Sequence, residues 1–210
     1  LVLCKSMCPQ INKPVVSIIV LTYNRPDEIS NNIEQLLALN TKGIEIIVVD
    51  NASEVSVKTF LPADDRLKFI ELEKNIGVGG RNAGILAAKG EIVITIDDDV
   101  TGLTDEAIEE IIKQFHIDDV AAVNFKVIDE QTHEITNWCH HRKKEIYVDT
   151  IFDTYEISEG AVAFRKDIIV EAGLYPEFFF ISHEGPDLAI RIMDLGYRVI
   201  YNPTVTVKHS

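Results

Sequence analysis

Short, nearly continuous apolar runs alternate along this chain with stretches in which apolar residues recur every three or four positions. The first kind reads as strands buried on both faces, the second as amphipathic helices. Runs at 15–21, 44–49 and 92–96, with an alternating one at 67–72, predict four strands. Residues 26–39 predict a helix: Pro26 suits its first position, Asp27 and Glu28 suit the dipole, and Ile29, Ile33, Leu36 and Leu37 share a face. A short helix is expected over 80–89, with Gly90 as its stop. Thr104 caps a further helix carrying Ile108, Ile111, Ile112 and Phe115. Beyond residue 118 the pattern loosens. It predicts strands at 120–128 and 160–164, helices at 166–172 and 186–195 closed by Gly173 and Gly196, and two short strands at 197–201 and 204–208. Residues 1–14 lack periodicity and read as an extended arm. The strand–helix alternation of the first half predicts an α/β fold with a parallel, doubly wound sheet.

In such sheets ligands gather at the carboxyl ends of the strands. Four predicted strands end in polar residues able to bind something: Thr22-Tyr23-Asn24-Arg25, Asp50-Asn51, Asn75, and Asp97-Asp98-Asp99. Four such ends on one edge suggest a site for a large polar ligand. The acidic triplet is the most specific. Adjacent carboxylates repel, and on a strand-like backbone Asp97 and Asp99 point to one side and Asp98 to the other. A hard divalent cation is the simplest relief, and a solvated acidic turn the plainer reading. The run from Asn75 to Gly84 is a glycine-rich turn leading into a helix, where amides can approach phosphate and Arg81 adds charge. It departs from the dinucleotide fingerprint and has no Walker lysine. Tight-turn geometry is its plainer reading. For Asp50, contact with a nucleobase N–H competes with capping of its own loop.

At 210 residues the chain is long enough for one domain, expected over 15–210. Thirty-four acids against 20 bases give −14, which argues against a nucleic-acid partner. Cys4, Cys8 and Cys139 show no metal-ligand spacing and are expected as free thiols in a reducing compartment. No apolar stretch approaches the roughly 18 residues of a membrane span. A cytoplasmic location is expected, with peripheral association at the inner face of a membrane still open. The absence of an initial Met and the stop just after a strand fit a fragment, truncated on the C-terminal side.

Together these residues resemble family 2 glycosyltransferases of GT-A fold, from about Val15 to His209. The stretch from Val16 to Arg25 resembles the opening strand, and Val48-Val49-Asp50-Asn51-Ala52-Ser53 the base-binding strand end. Asn75 to Gly84 resembles the donor loop, Asp97-Asp98-Asp99 the D-x-D metal site, and Gly160 to Arg165 the acceptor-side floor. Phe178-Phe179-Phe180, Glu184, Asp187 and Leu188 resemble the segment around the catalytic base.

The resemblance implies a Rossmann-like, mostly parallel sheet in a nucleotide-sugar-binding half, 15–100, and a smaller mixed acceptor-side half, 101–210. It implies inverting transfer of a sugar from a nucleotide-diphosphate donor to a hydroxyl acceptor in glycan synthesis, with Mn²⁺ or Mg²⁺. The donor-binding set would be Thr22, Tyr23, Asn24, Arg25, Asp50, Asn51, Asn75, Gly79, Arg81, Asn82, Asp97 and Asp98, with Asp50 on the base. Uracil and thymine offer Asp50 an N–H, so UDP is expected first and dTDP next. Asp97, Asp99 and His209 would hold the metal. The family's usual Glu-Asp pair reads Glu184-Gly185 here, so the base must come from Glu184, His183 or Asp187. Glu184, in a flexible turn before the helix, is favoured. Two rival readings remain: a catalytically impaired donor-binding domain of a larger protein, and a haloacid-dehalogenase-type phosphatase, whose D-x-D-x-T pattern Asp97 to Thr101 also satisfies.

Overall fold

The computed structural model describes residues 15–136, 138–158 and 160–210. The expected arm over 1–14, with Cys4 and Cys8, lies outside them. The order is β1 (Val16–Thr22), α1 (Pro26–Leu37), β2 (Ile44–Asp50), β3 (Leu67–Glu71), α2 (Arg81–Ala87), β4 (Ile92–Asp97), β5 (Val100–Thr101) and α3 (Asp105–Gln114). Then come β6 (Val120–Asp129), α4 (Lys144–Tyr147), β7 (Phe152–Asp153), β8 (Ala161–Arg165), α5 (Lys166–Glu171), α6 (Glu184–Asp194) and β9 (Arg198–His209).

One sheet runs β3-β2-β1-β4-β8-β6-β9-β5, with β7 on β9. Its first four strands are parallel. β8 then inserts antiparallel between β4 and β6, which makes the second half mixed. Register sets the site. Thr22 lies opposite Asp50 and Leu21 opposite Asp97, so the polar ends of β1, β2 and β4 are level.

Strand alternation supplies two cores. Ile18, Val20, Ile46 and Ile94 meet Ile29 and Ile33 of α1 and Ile108 and Ile111 of α3 on one face. Ile19, Ile47, Val49 and Val93 meet Ile85 of α2, Ile168 of α5 and Leu188 of α6 on the other. β1, β2 and β4 are thus largely apolar on both sides, as their near-continuous runs require.

Three expectations are corrected. Gly90 is not a left-handed stop: α2 ends at Ala87, and a Cβ at Gly90 would lie 2.8 Å from the Ser17 amide nitrogen. Close approach to β1 is what needs glycine there. Residues 198–209 form one strand rather than two. The break suggested by Pro203 is absorbed by a register shift in which Phe125 pairs with Asn202 and Lys126 with Thr206, an irregularity that tolerates a residue with no N–H. The final helix starts at Glu184 and not at Pro186, which sits within its first turn, where proline is tolerated.

The irregular stretch after β6 is pinned to β9 by an aromatic knot. The His140 ring lies 5.0 Å from Trp138, 5.4 Å from Phe152 and 4.8 Å from Tyr201. The Trp138 indole donates to the Arg142 carbonyl at 2.7 Å, and the Tyr201 hydroxyl to that of Val148 at 2.9 Å. His140 is buried, with Nδ1 3.2 Å from Thr154 Oγ1. Burial, helped by neighbouring His141, pushes its pKa down to about 4.

The unfolded chain binds a proton at this histidine below about pH 6.5, whereas the fold resists it until about pH 4, so acid favours unfolding across that window. His140 is expected to contribute a stability loss of about 3 kcal/mol as pH falls from 6.5 to 4. Denaturant unfolding at pH 7 and pH 4.5 should show a smaller difference in His140→Phe than in the parent; equal differences would remove the assignment.

Candidate active site

β4 delivers three carboxylates to the level edge. The strand ends at Asp97, and the chain then turns, so the expected alternation fails. Asp98 and Asp99 share one guanidinium: Arg25 donates to Asp98 Oδ1 at 3.1 Å and to Asp99 Oδ2 at 2.5 Å. Asp97 pairs with Arg81 of α2 instead. The buried Asn32 of α1 holds the turn, its amide donating to the carbonyls of Asp97 and Asp98, each at 3.2 Å, and of Val100 at 2.6 Å. Sequence reasoning missed Asn32; its only signal was a polar side chain beside Ile33 on an apolar helix face. Asp98 is raised to about 6, first by burial, with Asp99 and Asp97 adding and the Thr22 hydroxyl and Arg25 opposing.

The expected metal set comes together only in part. His209 Nε2 lies 3.6 Å from Asp99 Oδ1, a buried oxygen with no hydrogen bond. Asp97 is turned to Arg81 and does not join them. Among the described residues no group of three His, Cys, Asp or Glu side chains converges as a metal cage.

The donor-side residues divide into open and buried ones. Tyr23, Asn24 and Arg25 are exposed, and Asn75 and Asp97 are half-buried. Asp50 is fully buried, its oxygens accepting the Ser53 amide at 2.9 Å and the Val57 amide at 3.1 Å. It caps its loop. Asn51 ties β2 to the glycine turn, donating to Asn75 Oδ1 and the Gly77 carbonyl, each at 2.9 Å. Asn82 clamps the backbone of Tyr175, donating to its carbonyl at 2.8 Å and accepting its amide at 3.0 Å. Thr22 is buried among these.

The glycine turn is covered by the segment before α6. The Val78 amide donates to the Phe180 carbonyl at 2.8 Å. Gly77 has φ +64°, and a Cβ there would lie 1.9 Å from that carbonyl oxygen; one at Gly79 would lie 2.8 Å from Glu177. The covering segment is itself unusual, with positive φ at Phe180 (61°), Ser182 (79°) and His183 (72°). Such backbone is costly and concentrates at functional loops.

The three base candidates differ sharply. Glu184, expected in a flexible turn, is in the first turn of α6 with no exposed surface and no hydrogen bond to either oxygen. A base must meet its substrate, so this placement argues against it. Asp187 is bound by Arg191, whose Nε and Nη2 donate at 2.9 and 2.7 Å. His183 is exposed, and its Nδ1 lies 2.8 Å from Ser182 Oγ. That neighbour is the orienting partner that sequence reasoning did not find. Gly185 also has a packing reason: a Cβ there would lie 2.4 Å from the Ile157 carbonyl oxygen.

The profile of glycosyl transferase family 2 matches residues 17–172. The chain belongs to glycosyl transferase family 2. It is 40% identical over 97 residues to the succinoglycan biosynthesis protein ExoO of Rhizobium meliloti, covering 44% of this chain and 28% of that protein. It is 29% identical over 168 residues to the uncharacterized glycosyltransferase YwdF of Bacillus subtilis, covering 76% of this chain and 61% of that one. The chain therefore spans less than two thirds of either relative. In fold it is similar to GalNAc-T7 solved with UDP, GalNAc and Mn²⁺, with TM-score 0.76 at 15% identity over 95% of this chain and 44% of that one. It is also similar to the mannosyltransferase PcManGT of Pyrobaculum calidifontis solved with GDP-Man and Mn²⁺, with TM-score 0.72 at 21% identity over 94% of this chain and 57% of that one. The GT-A fold is thereby shown, and the phosphatase reading falls. Among the described residues no helix is long and apolar enough to cross a membrane.

Restoring an acid by Gly185→Asp is expected to destabilise the protein by about 1–3 kcal/mol, because the new side chain meets a backbone carbonyl. A variant with unchanged melting temperature and faster transfer would contradict this packing.

Proposed function

We propose that this glycosyltransferase moves a sugar from a nucleoside-diphosphate donor to a hydroxyl acceptor by a single inverting displacement. The observation carrying this reading is the acidic turn of β4. Two of its carboxylates share the half-exposed Arg25, and one leaves an unbonded oxygen facing His209. A carboxylate and an imidazole suit a divalent ion whose other ligands are diphosphate oxygens and water. Bound there with the donor, Mn²⁺ or Mg²⁺ would neutralise charge building on the leaving diphosphate. Asp99 and His209 are the protein ligands in this reading. Asp97, held by Arg81, is a support. Arg25 is exposed enough to leave its carboxylates and reach the diphosphate, where a guanidinium is a strong partner.

Asp50 is buried and accepts two amides of its own loop, so the choice among bases is left to measurement. UDP, dTDP, GDP, CDP and ADP are therefore all tested. Calorimetry should find at least one of them bound tightly with Mn²⁺ and weakly with chelator present, and Asp99→Ala should abolish that difference. If none shows metal dependence in the parent, the reading fails.

His183 takes the acceptor's proton. It is the exposed candidate of the three, and Ser182 at Nδ1 leaves Nε2 for the substrate. His183→Ala is expected to lower transfer by roughly 10²–10⁴-fold with nucleotide binding unchanged. If instead Glu184→Gln abolishes transfer at unchanged stability and His183→Ala does not, the assignment is wrong.

A further inference from the structure

We propose that the cleft between the stretch 138–158 and the start of α6 is the acceptor subsite, and that it takes an uncharged pyranose laid against Trp138. The proposal rests on the transferase reading above and adds the chemical class of the acceptor.

Position comes first. The cleft encloses about 530 Å³ and is lined by Trp138, Glu156, Ser158, Ser182, His183 and Pro186 among others. That volume lies within the ~300–1,000 Å³ of small-molecule sites. Ser158 is two residues before Gly160, whose carbonyl accepts the Asp97 amide at 3.1 Å and whose added Cβ would lie 2.2 Å from Asp97 Oδ2. On the opposite wall, Ser182 is two residues past Phe180, whose carbonyl holds the glycine turn at 2.8 Å. Consecutive Cα atoms are about 3.8 Å apart, so both walls come within roughly 8 Å of the donor side. The cleft also contains His183, which the acceptor hydroxyl must reach.

The lining then selects the ligand. Trp138 is half-exposed but fixed, with its indole N–H given to Arg142 and its ring nearly perpendicular to those of His140 at 5.0 Å and Tyr201 at 5.3 Å. A rigid indole presents an electron-rich face on which the C–H bonds of a pyranose can lie. Glu156 and Ser158 supply acceptors and a donor for sugar hydroxyls. No lysine or arginine lines the cleft among the described residues. A carboxylate there without a cation disfavours phosphate and uronate groups. The Ile157 carbonyl, against Gly185, holds this lining close to α6.

Trp138 is the single tryptophan of the chain, so tryptophan fluorescence reports on this one residue of the cleft. With the selected nucleotide and Mn²⁺ present, the chain is titrated with methyl glucoside, methyl galactoside and methyl mannoside, and separately with methyl glucuronide and glycerol 3-phosphate. At least one neutral glycoside should change Trp138 emission saturably, at a concentration tenfold or more below that needed for either anion. Glu156→Lys should narrow or invert that preference. Trp138→Ala should raise the acceptor KM at least tenfold with nucleotide binding intact by calorimetry. Equal or tighter binding of an anion, or no response to any neutral glycoside, overturns the proposal. Loss of metal-dependent nucleotide binding in the parent would instead overturn the transferase reading, so the two failures are distinguishable.

Discussion

Three adjacent carboxylates at the end of one buried strand repel one another, and much of the molecule is arranged around separating them. Arg81 draws Asp97 toward α2, Arg25 draws Asp98 and Asp99 toward the β1 loop, and His209 approaches Asp99 from the last strand. Asn32 fixes the turn from the opposite helix layer. Both sides of the sheet and both halves of the chain therefore meet at one turn. Burial is the leading reason that Asp98 is raised to about 6, with Asp99 and Asp97 adding the smallest shares. Three carboxylates gathered at one turn favour cations and their ligands.

The second organising constraint is close backbone approach. The glycines of the donor-side turn serve packing at least as much as backbone freedom. Gly77 and Gly79 admit residues 177–180, and Gly80 admits Leu21 and Asn51. The same holds at Gly185, where the Ile157 carbonyl occupies the space a side chain would need. The Ile157 carbonyl therefore leaves no room for an aspartate at this position, and the 156–158 stretch lies against α6 near the exposed His183.

The comparisons and the geometry meet on the fold and part on the details. Polysaccharide biosynthesis appears in the name of the relative ExoO, and the fold neighbours were solved with nucleotides or a nucleotide sugar and Mn²⁺. This chain's own residues add what those likenesses do not carry: a carboxylate–imidazole pair at Asp99 and His209, a histidine beside a serine hydroxyl, and a cleft with no lysine or arginine among its described lining.

By itself, the sequence determined the β1, β2 and β4 strands and the order in which their polar ends follow one another, because a parallel strand buried on both faces is apolar over most of its length, and β3 by its alternation. It also determined the Thr104 cap, since a hydroxyl at that position bonds an amide within its own turn, at 3.2 Å. Tertiary structure decided the rest. Whether Asp50 caps its loop cannot be read from the sequence, and only the positions of Ser53 and Val57 show that it does. Asn32 and Ser182 gave almost no signal, since the groups they serve lie elsewhere in the chain or depend on a positive φ. β5 and β7 are two residues each and exist only because β9 offers them an edge. Local periodicity fixes which segments are buried. Which polar groups are left for a substrate depends on what the fold has already bonded, and that is a property of distant neighbours.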